Sequence, residues 1–129
     1  MRVIDMTPVN LVATKNLHTI LFSFRPNGSS AVDQTTIVGE GVYSVTRDSA
    51  GSFTVRLEAD YKTTPIEFDP SVSTAGAAVD IQAQPGSYTA PTATERTLLV
   101  INLKTGTVNT DLASDANTVV RVRVTFVMV

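Results

Sequence analysis

Residues 39–61 read GEGVYSVTRDSAGSFTVRLEADY, and the fold is decided by how this stretch is read. Tyr43 and Val45 alternate with Ser44 and Thr46; Phe53, Val55 and Leu57 alternate with Thr54, Arg56 and Glu58. A period of two on both sides of a turn puts one face of each strand on a core and the other in water. Between the two runs lies Asp48-Ser49-Ala50-Gly51. Asp suits the first position of a type I turn, and Gly accepts a left-handed last position. The stretch therefore predicts a β-hairpin whose core residues are Tyr43, Val45, Phe53, Val55 and Leu57.

Working outward, Leu17–Arg25 is a second strand, with Ile20, Phe22 and Phe24 on one face and Thr19, Leu21 and Ser23 on the other. Pro26-Asn27-Gly28-Ser29 ends it, because Pro cannot donate to a ladder and Asn-Gly accepts a tight turn. A strand beginning at Thr35–Val38 is expected to run through Gly39-Glu40-Gly41 into Tyr43, the two glycines marking a bulge or a close backbone approach. Beyond the hairpin, Ile66-Glu67-Phe68 reads as a short strand closed by Asp69-Pro70, and Ala78–Gln84 as an alternating one. Pro85–Ala93, PGSYTAPTA, has the composition of a loop. Arg96–Leu103 is nearly apolar on both faces, as a doubly covered central strand would be. Within the polar stretch Lys104–Asn117, residues 110–115 could form one helical turn capped by Thr110 or Asp111.

The chain closes on TVVRVRVTFVMV, residues 118–129, with Val120, Val122, Val124, Phe126 and Met128 on one face. Arg121, Arg123 and Thr125 take the other face until Val127 and Val129 make the end apolar on both. Such an end is either a buried central strand or a subunit interface, because an exposed apolar edge invites aggregation. Residues 1–16 show no clean period and contain Pro8, and read as an extended N-terminal arm preceding a single domain, 17–129. About eight strands at short spacing predict an all-β, antiparallel β-sandwich or jelly-roll-like domain, or a closed barrel.

The totals agree. Val and Thr supply 37 of 129 residues, favouring strands. A chain of this length buries roughly two-thirds of its unfolded surface and needs no staple; it has no cysteine, which excludes thiol catalysis and thiolate metal sites. A net charge of −2 without a basic run argues against nucleic-acid binding. The apolar runs are far shorter than the ~20 residues a helix needs to cross a bilayer. Arg2, Asp5 and Asn10 stand where a signal peptide would be apolar, so a soluble protein made in a cytoplasm and not exported by the usual route is expected.

Residues able to do chemistry are few and scattered. His18 is the only histidine, without a serine or cysteine signature beside it. Asp48, Asp69, Asp111 and Asp115 are explained by turns, and the spacing of Asn109, Asp111, Asp115 and Asn117 does not match an EF-hand. Arg56 and Glu58 share a strand face and predict an exposed ion pair worth well under ~1 kcal/mol; Arg121 and Arg123 share another. Tyr61 and Tyr88 fall in or near loops, where they could bind sugar or a partner or pack at the core edge. No enzyme activity, metal or cofactor is expected.

The hairpin residues carry a resemblance. Gly39-Glu40-Gly41-Val42-Tyr43-Ser44-Val45-Thr46-Arg47, Gly51-Ser52-Phe53-Thr54-Val55-Arg56-Leu57 and Asp60-Tyr61 resemble small structural proteins of tailed bacteriophages. Phe24-Arg25-Pro26-Asn27-Gly28-Ser29 and Asp111-Leu112-Ala113-Ser114-Asp115-Ala116-Asn117 agree as flanks, whereas 63–95 and the arm depart from the pattern. The resemblance implies a virion component, foremost a capsid decoration (cement) protein. It would act on the capsid exterior, with the major capsid protein and itself, as a homotrimer, for partners. The arm would then order on the shell, and Phe126, Val127, Met128 and Val129 would lie in the trimer interface. Another virion part (head fibre base, tail or adaptor protein) is the alternative, as is a carbohydrate- or surface-binding sandwich that uses Tyr61, Tyr88 and the 85–93 loop. Neither membrane nor nucleic acid is an expected partner.

Overall fold

A computed structural model describes residues 16–74 and 80–128. The domain is all-β, two antiparallel sheets packed as a sandwich. One sheet has the order β2-β1-β9-β5, from β1 (Leu17–Phe24), β2 (Val38–Gly39), β5 (Glu67–Ser73) and β9 (Val119–Val127). The other has the order β3-β4-β7-β6, from β3 (Val42–Ser49), β4 (Ser52–Leu57), β6 (Ile81–Thr89) and β7 (Leu98–Thr105), with β8 (Val108–Asn109) paired to β7. Of the expected arm, only Asn16 lies within the described residues; its carbonyl accepts from the Met128 amide at 2.6 Å.

Alternation decides what faces inward. Ile20, Phe22 and Phe24 of β1 and Val120, Val122, Val124 and Phe126 of β9 are buried, and so are Phe53, Val55, Leu57, Leu99, Ile101 and Leu103 of the facing sheet. The rings of Phe24 and Phe53 meet across the sheets at 5.2 Å. Side chains of this kind each contribute roughly 1.5–3 kcal/mol on full burial, so the two interdigitated faces hold the sandwich together. The expected apolar faces of β1, β4, β7 and β9 are all found.

The hairpin is present as β3–β4, but tighter than expected. Ser49 already pairs with Ser52, so Ala50-Gly51 makes the turn, Gly51 adopting φ +61. Tyr43 is a correction: it is 59% exposed and not in the core. The register slips between Val42 and Ser44, and an extra residue in one strand inverts the alternation beyond it. Val42 packs against the core, Val45 is buried, and Tyr43 is turned out beneath the Arg96 guanidinium, 3.8 Å from its ring centroid.

The segment before β3 also differs. Residues 34–36 form a single 3-10 turn capped by Asp33, whose side chain accepts from the Thr35 amide. The expected strand is then interrupted at Gly39-Glu40-Gly41, where the chain passes from one sheet to the other. The close approach expected at the glycines is real: a Cβ on Gly39 would stand 2.4 Å from the Leu21 carbonyl oxygen.

Two prolines did not end their strands. Pro70 pairs with Val122 inside β5, and Pro85 pairs with Ile101 inside β6. Both strands are sheet edges, where a missing N–H costs no ladder bond. The expected loop at 85–93 is thus strand as far as Thr89, with a register shift between Pro85 and Tyr88. Part of the expected strand at 78–84 lies outside the described residues. No helical turn forms at 110–115. β7 is central as expected, but its outward residues Leu98, Val100 and Asn102 are only half-buried.

Candidate functional site

The residues singled out for chemistry are mostly committed to structure. Asp111 accepts from Arg47 with both oxygens, Nε to Oδ1 at 3.0 Å and Nη2 to Oδ2 at 2.7 Å, and from the Gly51 amide at 2.9 Å. The Arg47 hydrogen bonds hold the Asp111 carboxyl below the usual carboxylate range, and the same bonds raise the Arg47 guanidinium. Asp115 accepts from the Asn117 amide in a local turn. No group of three His, Asp or Glu side chains converges to hold a metal among the described residues. The expected Arg56–Glu58 pair does not form, because β4 ends at Leu57. Arg56 instead meets Glu95 at 3.3 Å, and Arg123 meets Glu67 at 3.1 Å.

The aromatic candidates belong to the interior. Phe126 is fully buried and stacks on Tyr61 with centroids 4.2 Å apart, so it cannot be the oligomer contact expected of it. Tyr88 lies in β6, not in a loop, half-buried with its ring tilted against Phe126 and its hydroxyl donating to the Tyr61 carbonyl. Burial raises the pKa of both tyrosines. A sugar-stacking platform would need open ring faces, and these rings face Phe126. Val127 is half-buried, its carbonyl accepting from the Thr63 hydroxyl; Met128 is exposed; Val129 lies outside the described residues. The His18 ring touches Tyr61 edge-on at 5.6 Å, and its imidazole has no hydrogen-bond partner among the described residues.

The open surface is elsewhere, on the outer face of the β2-β1-β9-β5 sheet. Register places Leu21, Arg123 and Asp69 in one row across three strands, and Ser23, Arg121 and Ser71 in the next. Val38 stands opposite Ser23, and Leu21 and Val38 are both about two-thirds exposed. A shallow groove of about 430 Å³ runs between these residues. A second hollow, about 820 Å³, opens where the chain changes sheets and is lined by His18, Thr19, Glu40, Glu58 and Tyr61 among others. Apolar side chains beside paired and unpaired charges suit contact with another protein.

Sequence reasoning passed over Leu21 and Val38, although the signal was there. Leu21 sits on the Thr19–Ser23 face of an otherwise clean alternation, and an apolar residue on a solvated face is what a contact surface leaves behind. Searched against protein-family models, curated proteins and solved structures, the chain matches none.

Proposed function

We propose that the chain is a non-enzymatic structural protein of a tailed-phage virion, a capsid decoration protein that binds the assembled major-capsid lattice from outside. The observation that carries this reading is the meeting of two separate pieces of the resemblance. Arg47, from the hairpin run, and Asp111, from the Asp-Leu-Ala-Ser-Asp flank, lie 64 residues apart and form one two-pronged ion pair. The resembling residues thus behave as one scaffold: Val45, Phe53, Val55 and Leu57 in the core, Gly51 in the turn, and the Arg47–Asp111 tie beneath it.

On this reading the protein works by linkage. Anything that binds the assembled shell and not its dissociated subunits stabilises the shell by mass action. Several attachment points per oligomer, a homotrimer in this proposal, let modest contacts add to high avidity. The outer sheet face, with Leu21, Val38, Arg121 and Arg123, offers an apolar-and-charged surface for such contact.

The test is the copy number and position of the chain on purified particles. Decoration requires many copies spread over the shell in proportion to the major capsid protein. A handful confined to one vertex would instead make the chain a head-fibre-base, tail or adaptor component.

A further inference from the structure

The crossing at Gly39–Gly41 leaves part of β1 uncovered. β2 pairs with β1 only at Phe22 and Ser23, so from Leu17 to Leu21 no described strand lies on that side. The register identifies which backbone groups are left there. Asn16 stands one step before the Leu17–Val127 pair, opposite Met128, and its carbonyl accepts the Met128 amide. Bonded positions alternate in an antiparallel ladder. His18 and Ile20 therefore bond to β9, while Leu17 and Thr19 direct their amides and carbonyls to the open side; the Leu21 carbonyl instead lies against Gly39. The Thr19 hydroxyl is already paired with that of Thr125 at 2.9 Å, and its backbone has no partner on the open side among the described residues.

This edge forms one wall of the larger hollow, about 820 Å³, where Leu21 and Ala59 supply exposed apolar lining. Glu40 and Glu58 also line it, both exposed, and neither is in an ion pair among the described residues.

We propose that this hollow takes an extended segment of a partner protein, added as a strand along the β1 edge, with a lysine or arginine side chain held by Glu40 and Glu58. Strand addition draws its affinity from main-chain bonds, here those of Thr19, and its selectivity from pockets for alternate side chains. Apolar residues of the segment pack on Leu21 and Ala59, the exposed apolar residues of the lining. The two carboxylates reject an acidic segment, since like charges brought together disfavour the wrong partner. The inference rests on the geometry of this edge and not on the capsid reading, and its test uses no particle.

The experiment is an amide NMR titration of the full chain with two blocked hexapeptides. One is Thr-Val-Lys-Val-Lys-Thr; the other carries glutamate in place of both lysines. The lysine peptide is expected to shift the amides of Leu17, Thr19 and Leu21, to slow exchange at Thr19, and to bind on the order of tenfold tighter than its acidic counterpart. The double variant Glu40→Gln, Glu58→Gln should abolish the difference between the peptides while keeping the fold. Equal binding of both peptides overturns the proposal, as do shifts confined to another surface. So does slow exchange at Thr19 in the free chain, because the edge would then already be filled by the chain's own N-terminal segment or by a second copy.

Discussion

The side-chain amide of Gln34 pairs with both backbone groups of Val45, donating from Nε2 to its carbonyl at 2.7 Å and accepting its amide at Oε1 at 3.0 Å. The same Nε2 also donates to the Val32 carbonyl. Val45 lies on β3, an edge of its sheet, and an uncovered edge offers unpaired groups to other chains. One glutamine thus does locally what a neighbouring strand would do, and it anchors the 3-10 turn to the hairpin.

Gln34→Glu keeps the acceptor for the Val45 amide but loses both donated bonds and sets a carboxylate against two carbonyls. A loss of about 1–2 kcal/mol is expected, from the usual worth of such bonds, read as a lower urea midpoint at unchanged m-value. Gln34→Ala should lose a similar amount and, with the edge open, show concentration-dependent association in sedimentation. An unchanged midpoint in both variants would mean that the edge is held by something other than this side chain.

The Arg47–Asp111 pair makes a pH-dependent prediction. Asp111 titrates below its ordinary value in the folded chain because Arg47 hydrogen-bonds its charged form. The unfolded chain therefore binds more protons at acid pH, and stability rises with pH across that range. The contribution is complete above the unfolded value, near 4, and is lost as pH falls through the lower folded one. Asp33 is also lowered, by its bonds to Thr35, so wild type alone would mix two slopes. The difference between wild type and Asp111→Asn isolates the pair: it should be constant at neutral pH and shrink steadily below about pH 4. A difference independent of pH would show that the Asp111 charge contributes nothing.

Strand faces were legible in the sequence wherever a ladder runs without a slip. Ile20, Phe22 and Phe24 in the β1–β9 ladder, or Leu99, Ile101 and Leu103 beside β4, keep strict alternation and an unshifted register. Local punctuation misled where the sheet position overrode it: Pro70 and Pro85 look like breaks but sit on edges. Glu58 looked like a strand residue paired with Arg56, but the chain turns away after Leu57. The partners of Gln34 and Asp111 lie 11 and 64 residues away, and no local pattern encodes such pairings. The open β1 edge was invisible for the same reason, since it exists only because β2 stops after Gly39.

The slip at Val42–Ser44 separates two aromatic residues that the sequence placed on one face. Phe53 is fully buried against Phe24, whereas Tyr43 is mostly exposed beneath Arg96. Removing a buried Phe side chain costs about 3–5 kcal/mol, and Phe53→Ala should fall in that range. Tyr43→Ala gives up an exposed cation–π contact, worth about 0.5–1 kcal/mol, and should cost no more. Arg96→Ala loses that contact and also the bond from Nη1 to the Glu58 carbonyl at 3.0 Å, so it should destabilise slightly more than Tyr43→Ala. In the double variant the losses should sum to less than the two singles, because both remove the same ring contact. Equal losses for Tyr43→Ala and Phe53→Ala would place both rings in the core, with no slip in β3.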